Sequence, residues 1–195
     1  MTVYDLILKR RSIRKFTSTP VPEALLDKLL DAGRLAPVAA NFQPLEFLAV
    51  NDPELCAQVF PHTRWAGYLE DGAPHPGEEP TAYVLILVND HVKSPVPDQD
   101  VGFAAESILL TALDEGVAGC AIGSLDRKPL FDLLGIPNHY SISLALARGY
   151  PAEIAVAEEM QGEDVKYWRD EQGVHHVPKR PRAKVTHWNK FRQPE

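Results

Sequence analysis

The chain has 195 residues, of which 45% are hydrophobic and 24% are charged, and its net charge is −7. This length and composition are typical of one globular domain, so residues 1–195 are predicted to form a single domain. The acidic balance argues against a nucleic-acid partner, because a polyanion would be repelled over most of the surface. The most apolar run, residues 84–88, is far shorter than the roughly 20 residues of a membrane span, so no membrane association is predicted.

The N-terminus and the cysteines indicate the compartment. No signal peptide is recognised, because the basic residues near the N-terminus follow the apolar residues 6–8 instead of preceding a long apolar region. Cys56 and Cys120 form neither a close pair nor a metal-binding cluster, which fits a reducing environment. We therefore predict a cytoplasmic protein.

Helices and strands follow from the spacing of the apolar residues. Helical spacing predicts helices over residues 3–10, 23–35, 52–60, 101–115 and 128–134. The 101–115 helix is apolar around nearly its whole circumference, which indicates a core helix, and Asp100 is its expected N-terminal cap. Strands are predicted over residues 45–50, 81–88 and 141–147, with a further one inside 116–123. Residues 81–88 are apolar on both faces and should lie at the centre of the sheet.

Three connecting segments have features that a ligand site would use. The loop over residues 36–44 is bracketed by prolines and carries two amides, Asn41 and Gln43. These amides either offer donors and acceptors to a planar polar ligand or only brace their own turn. Gly123 either lets backbone amides approach a ligand or is an ordinary turn residue. Residues 61–80 form either a lid or a plain surface loop.

Residues 151–195 are predicted to be an extended arm. Periodicity fades after Pro151, while large aromatic side chains persist at Tyr167, Trp168, Trp188 and Phe191. Such an arm has no core of its own, so these rings must be buried against its own domain or against a partner subunit.

Basic residues are concentrated at the two ends of the chain. Residues 9–15 contain five Lys or Arg and residues 179–194 contain six, with no acid in either segment. Residues 16–178 carry nine bases against 25 acids. We interpret this as two ends that converge on an anion, for which a phosphate group is the simplest candidate. The alternative is that both runs are solvated surface, the first beside the negative end of a helix.

Several familiar catalytic motifs are absent from the sequence. There is no G-x-G-x-x-G after a strand, no Walker-type phosphate loop and no G-x-S-x-G elbow. His175 and His176 would point to opposite faces of a strand and the other histidines are scattered, so no metal site is predicted. A phosphate site without an evident acid, base or nucleophile suggests that a bound cofactor supplies the chemistry, and no catalytic side chain is assigned.

Five motifs in order resemble those of the FMN-dependent nitroreductase family. They are RRSIRKF at residues 10–16 with PVP at 20–22, AP-x3-N-x-QP at 36–44, the glycine-bearing segment that ends at 122–123, LGIP at 134–137 and GYP at 149–151. The resemblance covers most of the chain. It implies an α+β fold with a mixed sheet flanked by helices, assembled as an intertwined homodimer with the arm on the partner subunit and one FMN at each end of the interface.

The resemblance also implies the residues around FMN. They are Arg10, Arg11, Ser12, Arg14, Asn41, Gln43, Ile122, Gly123, Lys179 and Arg180. The first four would hold the phosphate and ribityl chain, the two amides would approach the flavin, and residues 122–123 would bring backbone to the isoalloxazine edge. The C-terminal basic pair would complete the phosphate site, with Arg182 as an alternative register.

The implied activity is electron transfer from NAD(P)H through FMN, by a ping-pong mechanism, to nitroaromatic, quinone or other electron-poor acceptors. Two departures from the family pattern bear on the acceptor, because Val38 stands where a serine is frequent and Leu45 where a tryptophan is common. The alternatives are a flavin-binding or sensing module without turnover and a more specialised reductive enzyme.

Overall fold

The computed structural model describes residues 1–191, so Arg192 and the end of the predicted arm lie outside the described residues. Helices α1 to α5 span Val3–Lys9, Glu23–Arg34, Pro53–Val59, Pro97–Asp114 and Arg127–Leu134. Strands β1 to β7 span Leu45–Val50, Ala82–Asn89, Ala118–Ile122, Tyr140–Gly149, Ala155–Glu159, Trp168–Arg169 and His175–Lys179. None of the helices in the described part of the chain is long and apolar enough to cross a membrane.

The main sheet has the strand order β1-β2-β4-β3 and is antiparallel throughout. The first six residues of β2 are all buried, which confirms the prediction of a central strand. Strands β5 and β7 pair in parallel, and β6 pairs antiparallel with β7, in a second sheet of order β5-β7-β6. With helices packed on the sheet, the predicted α+β class is confirmed.

The main sheet is covered on both faces because its inner strands, β2 and β4, carry apolar side chains on both faces over most of their length. On one face Val84, Ile86 and Leu146 pack with residues of α2 and α4, including Leu29 and Ile108. On the other face Tyr83, Leu85 and Ala147 pack with α3 and α5. One sheet therefore separates two apolar layers. Its β3 edge has no further strand of the sheet beside it in the described chain, and the basic residues 9–15 lie there.

The prediction that Asp100 caps the core helix was wrong. Helix α4 begins four residues before the predicted start, with Pro97 in its first turn, so Asp100 lies inside it and is only 1% exposed. The Asp100 carboxylate instead accepts hydrogen bonds from the Ala39 backbone N–H at 2.9 Å and from Ser94 Oγ at 3.0 Å. Proline suits the first turn of a helix because its missing N–H is not needed there, and this signal outweighs the apolar spacing that suggested residue 101.

The arm is more ordered than its sequence suggested. Strands β5 to β7, residues 155–179, form a small sheet on their own chain, which we call the C-terminal lobe. Just before the lobe, the chain is attached to the N-terminal segment. Ala152 N–H donates to the Lys15 carbonyl at 2.8 Å, and Phe16 forms an isolated β-bridge with Pro151. Beyond the lobe, Trp188 and Phe191 remain 72% and 76% exposed.

Candidate functional site

The first predicted basic segment lies along the free edge of β3. Helix α1 begins with a reciprocal cap between Thr2 and Asp5 and ends at Lys9, which releases the chain into an extended segment. Ser12 forms a parallel bridge with Gly119, and Ile13 N–H donates to the Gly119 carbonyl at 3.0 Å. Because side chains alternate along an extended chain, the burial of Ile13 turns its neighbours on either side away from the core.

The two basic ends of the chain meet at one cavity of about 200 Å³, which we call the basic cavity. Its lining residues are Arg10, Arg11, Ser12, Arg14, Tyr167, His175, Val177 and Lys179. Four of the eight are cations and none is a carboxylate. The structure therefore brings together all four predicted residues of the N-terminal motif and one residue of the predicted C-terminal pair.

Strand β7 explains how the C-terminal residues reach the cavity. His175, Val177 and Lys179 are two residues apart, so they share one face of the strand. Lys179 was predicted from the sequence to be a site residue, whereas His175 and Tyr167 were not. The signal was available in principle, since a strand through residues 175–179 would place residues 175 and 177 on the face of Lys179.

Two of the cavity arginines have other interactions as well. Arg10 Nε is 3.0 Å from Glu106 Oε1, in an ion pair that is partly exposed on both sides. Arg11 donates to the carbonyls of Leu8, at 2.9 Å, and of Arg10, while its Nε is buried without an acceptor in the described chain. Burial, with a smaller contribution from the neighbouring Arg10, lowers the pKa of Arg11.

Arg180 and Arg182 do not line the basic cavity. Both are exposed, and Arg180 donates to the Lys184 carbonyl at 3.5 Å. Arg180 follows the last residue of β7 and Lys179 lines the cavity, so the two members of the predicted pair have different surroundings.

The predicted amides lie in a different part of the surface. Ala40, Asn41 and Gln43 adopt positive φ angles of 44°, 56° and 53° around a short 3-10 turn. Asn41 is exposed, and Gln43 donates to the Asn41 carbonyl at 3.4 Å and lines a separate cavity together with Val38. Within one chain the structure does not bring these two amides to the basic cavity.

Ile122 and Gly123 lie at the far end of β3 from the basic segment. Ile122 is 4% exposed, whereas Gly123 is exposed and its carbonyl accepts a hydrogen bond from Arg127 at 3.1 Å. From Gly119, beside Ser12, the strand leads to Gly123 over about 13 Å at the usual rise of an extended chain. One strand edge therefore connects the basic cavity with the predicted backbone contact.

The sequence and the fold were compared with those of known proteins. A 32% identical relative from Methanothermobacter thermautotrophicus, whose name gives it as an NADH dehydrogenase/NAD(P)H nitroreductase, aligns over 160 residues, 78% of this chain and 79% of its own length. An FMN-dependent nitroreductase from Clostridium difficile is 25% identical with a TM-score of 0.67, over 95% of this chain and 98% of the other. The NADPH:FMN oxidoreductase of Vibrio harveyi, 22% identical over 99% of this chain and 79% of its own, has the same fold with a TM-score of 0.67.

The sequence model of the nitroreductase family matches residues 7–150. This segment begins just before the arginines of the basic cavity and runs through β3 and β4 to the Gly-Tyr-Pro motif. It therefore contains four of the five motifs in full and all but the last residue of the fifth. The resemblance inferred from them is confirmed, and this chain belongs to the nitroreductase family.

Proposed function

We propose that this chain is an FMN-dependent NAD(P)H oxidoreductase that holds the FMN phosphate in the basic cavity. The observation that carries the proposal is the lining of that cavity, which combines Arg10, Arg11, Arg14 and Lys179 with the hydroxyl of Ser12 and contains no carboxylate. Cations and hydroxyls are the groups that bind phosphate, through charge-assisted hydrogen bonds. The relative with FMN in its name is similar over nearly the whole chain, which supports the choice of cofactor.

The residues of the cavity fit this group. Arg11 Nε is a buried side-chain atom with no hydrogen-bond partner in the described residues, and Arg11 lines the cavity. Buried donors of this kind are costly unless an acceptor arrives, and phosphate oxygens are acceptors. The volume of about 200 Å³ is smaller than the roughly 300 Å³ at which pockets for whole organic ligands begin, so the cavity suits the phosphate end of the cofactor.

The protein residues have binding and orienting roles in this proposal. FMN, when bound, accepts a hydride from NAD(P)H and passes two electrons to an acceptor. Arg14 and Lys179 approach the phosphate position from opposite ends of the chain, and Ser12 is fixed by its bridge to Gly119. The backbone of residues 122–123 lies further along β3, where the flavin ring is expected.

We also propose that the complete site is assembled from two copies of the chain. Asn41 and Gln43 lie away from the basic cavity within one copy, although the family resemblance assigns both to the flavin. A homodimer supplies these amides from the second subunit. The arm beyond the lobe, with its exposed aromatic rings, is the segment that we expect to pack on that subunit.

The acceptor is expected to be a nitroaromatic, a quinone or another flat electron-poor molecule. Val38 and Leu45, the two departures from the family pattern, line the same cavity as Gln43 and are the positions where acceptor preference should differ from that of relatives. The cytoplasmic location stays a prediction from the sequence. A flavin-binding module without turnover is the alternative function.

Purified protein tests the proposal directly. We expect a yellow protein that releases FMN on denaturation and whose flavin absorbance is bleached by NADH or NADPH. A colourless protein that takes up no FMN contradicts the proposal. Bleaching by dithionite but not by either nicotinamide would leave the binding-module alternative.

The two neighbouring residues of the C-terminal basic pair provide a matched test of the phosphate site. Lys179→Met should weaken FMN binding by about 1.5–3 kcal/mol, because it removes a charge-assisted hydrogen bond. Arg180→Met removes the same charge one residue away but outside the basic cavity, so FMN affinity should hardly change. Equal losses in the two variants, measured by flavin fluorescence titration, would show that the cavity does not define the contact.

A further inference from the structure

Arg14 differs from the other cavity cations in how its side chain is held. Arg14 NH1 lies 3.2 Å from His175 Nε2, and the guanidinium carbon lies 5.1 Å from the centre of the Tyr167 ring. Among the described residues no carboxylate pairs with the Arg14 guanidinium, and its other N–H groups make no hydrogen bond. Its charge is therefore oriented by two uncharged groups and is not neutralised by them.

The hydrogen bond to Arg14 defines the state of His175. An arginine N–H can only donate, so Nε2 must be the acceptor and the ring proton must reside on Nδ1. The ring is 1% exposed, and burial, together with the nearby Arg14, lowers the pKa of His175, which keeps the ring neutral. A neutral imidazole can accept from Arg14 without cancelling its charge.

Tyr167 is held in turn by the 61–80 loop. Its ring is tilted against that of Tyr68 at 4.9 Å, and its hydroxyl oxygen accepts the Tyr68 backbone N–H at 3.4 Å. On the other side the Tyr167 ring contacts the His175 ring at 5.2 Å. The Tyr167 ring below Arg14 is thus fixed by Tyr68 of the 61–80 loop and by His175 of β7.

The backbone of Arg14 is held independently of these contacts. Its N–H donates to Glu153 Oε1 at 2.5 Å, and the other oxygen of Glu153 accepts from Arg169 at 3.0 Å. Loss of Tyr167 or His175 would therefore free the Arg14 side chain while its backbone stays in place. This separates the orientation of the guanidinium from the folding of the segment.

We propose that Tyr167 and His175 are positioning residues that point the Arg14 guanidinium at the phosphate of FMN. The inference rests on the proposed function, because it assumes that the basic cavity takes this phosphate. Neither residue belongs to the motifs that identified the family, and neither lies within the segment that the family model matches. They contribute to cofactor affinity through Arg14.

The test compares FMN with riboflavin, which has the same ring and ribityl chain but no phosphate. Apo-protein is titrated with each flavin, and the ratio of the two dissociation constants gives the preference for phosphate. His175→Leu removes the acceptor and should reduce this preference by about tenfold or more, with riboflavin affinity unchanged. His175→Gln keeps an acceptor oxygen and should restore much of the preference.

Tyr167 provides a second series in case the first does not fold. Tyr167→Leu should reduce the preference about three- to tenfold by removing the ring below the cation, whereas Tyr167→Phe keeps the ring and should retain it. Gln172→Ala is the control, because this exposed side chain belongs to the same lobe but does not line the basic cavity. Arg14→Met should abolish the effect of His175→Leu, so the double variant should be no weaker than Arg14→Met alone.

The outcomes separate the two proposals. Wild-type protein that binds no FMN contradicts the proposed function. If the wild type prefers FMN but His175→Leu and Tyr167→Leu keep that preference, or lose riboflavin affinity equally, the positioning role is wrong and the function stands. The same holds if Arg14→Met keeps the full preference for FMN.

Discussion

Arg148 is the largest fully buried side chain in the described structure, and it carries a charge. It is 0% exposed, and none of its three guanidinium nitrogens has a hydrogen-bond partner within residues 1–191. It lies against Gly119, where an added Cβ would collide with the Ala147 carbonyl oxygen and would be 2.7 Å from Arg148 NH1, so glycine is required by the backbone as well as by the guanidinium. The strand was predicted to end at residue 147, but β4 continues to Gly149. Arg148 continues the alternation of Leu144 and Leu146, which places its charge on the face that α2 and α4 cover, whereas Ile142 lies on the other face beyond an irregularity in the strand.

Replacing this arginine should stabilise the protein. Burial lowers the pKa of Arg148 to about 10, so the group stays charged at pH 7 at a cost on the order of 3 kcal/mol. Because the folded-state pKa of this base is depressed, the full cost applies below pH 10 and diminishes only above it. Arg148→Met should therefore raise the free energy of unfolding of the apo-protein by about 1–3 kcal/mol in urea titrations at pH 7.

The control for this variant is Arg148→Lys, which keeps a buried positive charge and should show no gain. A methionine variant that is no more stable than the wild type would mean that the guanidinium has stabilising contacts that outweigh its burial.

At the scale of elements, the sequence located most of the helices and strands but not the C-terminal lobe. Strands β1 to β4 have continuous or alternating apolar residues, so their pattern was visible. Strands β5 to β7 are short and mostly polar, and their stability comes from contacts between side chains that are distant in sequence. Such contacts leave no periodic signal, which is why residues 155–179 were expected to be an arm without a core of its own.

His176 is the centre of this polar lobe. Its Nδ1 is 2.9 Å from Glu158 and its Nε2 is 3.1 Å from Asp170, so one ring joins β7 to β5 and to the turn after β6. The Trp168 ring stacks on it at 4.2 Å. The hydrogen bond to Asp170, with further help from Glu158, raises the pKa of His176. The pKa of Asp170 is lowered mainly by His176, and that of Glu158 mainly by its hydrogen bond from Trp168.

The lobe should therefore be most stable at mildly acidic pH. The contribution of His176 is fully present below its unfolded pKa of about 6.5 and is lost as the pH rises through the raised folded value. The contributions of the two carboxylates are present above about pH 4.5 and are lost as the pH falls through their lowered folded values. After correction for the intrinsic pH dependence of amide exchange, the protection of residues 155–179 should thus be highest between these limits.

A comparison of variants isolates this effect from the general acid sensitivity of the protein. His176→Asn should remove the loss of protection that occurs as the pH rises above about 6.5, whereas His139→Asn, outside the lobe, should leave it unchanged. If the two variants show the same pH profile, another group controls the lobe.

At the scale of the whole molecule, the sequence predicted which distant residues would lie close together only where their charges indicated it. Two acid-free basic segments at opposite ends were expected to converge, and Lys179 and Arg14 do line one cavity. The partition between Lys179 and Arg180 could not be predicted, because it depends on the phase of β7. The distance of Asn41 from the cavity could not be predicted either, because it depends on how the 36–44 loop packs in three dimensions and no sequence pattern reports that packing.

The exposed apolar side chains predict how two copies meet. Val3, Tyr4, Ile7 and Leu8 of α1 are 46–68% exposed, and Phe103 on the contacting helix α4 is 52% exposed. Contiguous apolar surface of this kind usually marks an interface. We expect a homodimer in analytical ultracentrifugation at micromolar concentration.

Charged substitutions on α1 test this surface. Ile7→Asp combined with Leu8→Asp should shift the protein towards monomer and release FMN, since half of the proposed site would be lost. Gln58→Asp, at an exposed position of α3, should change neither property. A wild type that sediments as a folded monomer, or an α1 variant that stays dimeric, would contradict the assembly.

Turnover should follow ping-pong kinetics because of the way the whole site is built. The basic cavity is too small for more than one end of the cofactor, and the basic segment and the lobe border it on two sides. In the proposed dimer, nicotinamide and acceptor would both reach the flavin from the side of the second subunit and would occupy one position in turn. We therefore expect several nitroaromatics and quinones to be reduced, with parallel double-reciprocal lines when NAD(P)H and acceptor are both varied. Intersecting lines would mean that both substrates are bound together, and the site would then need a second opening that this arrangement does not provide.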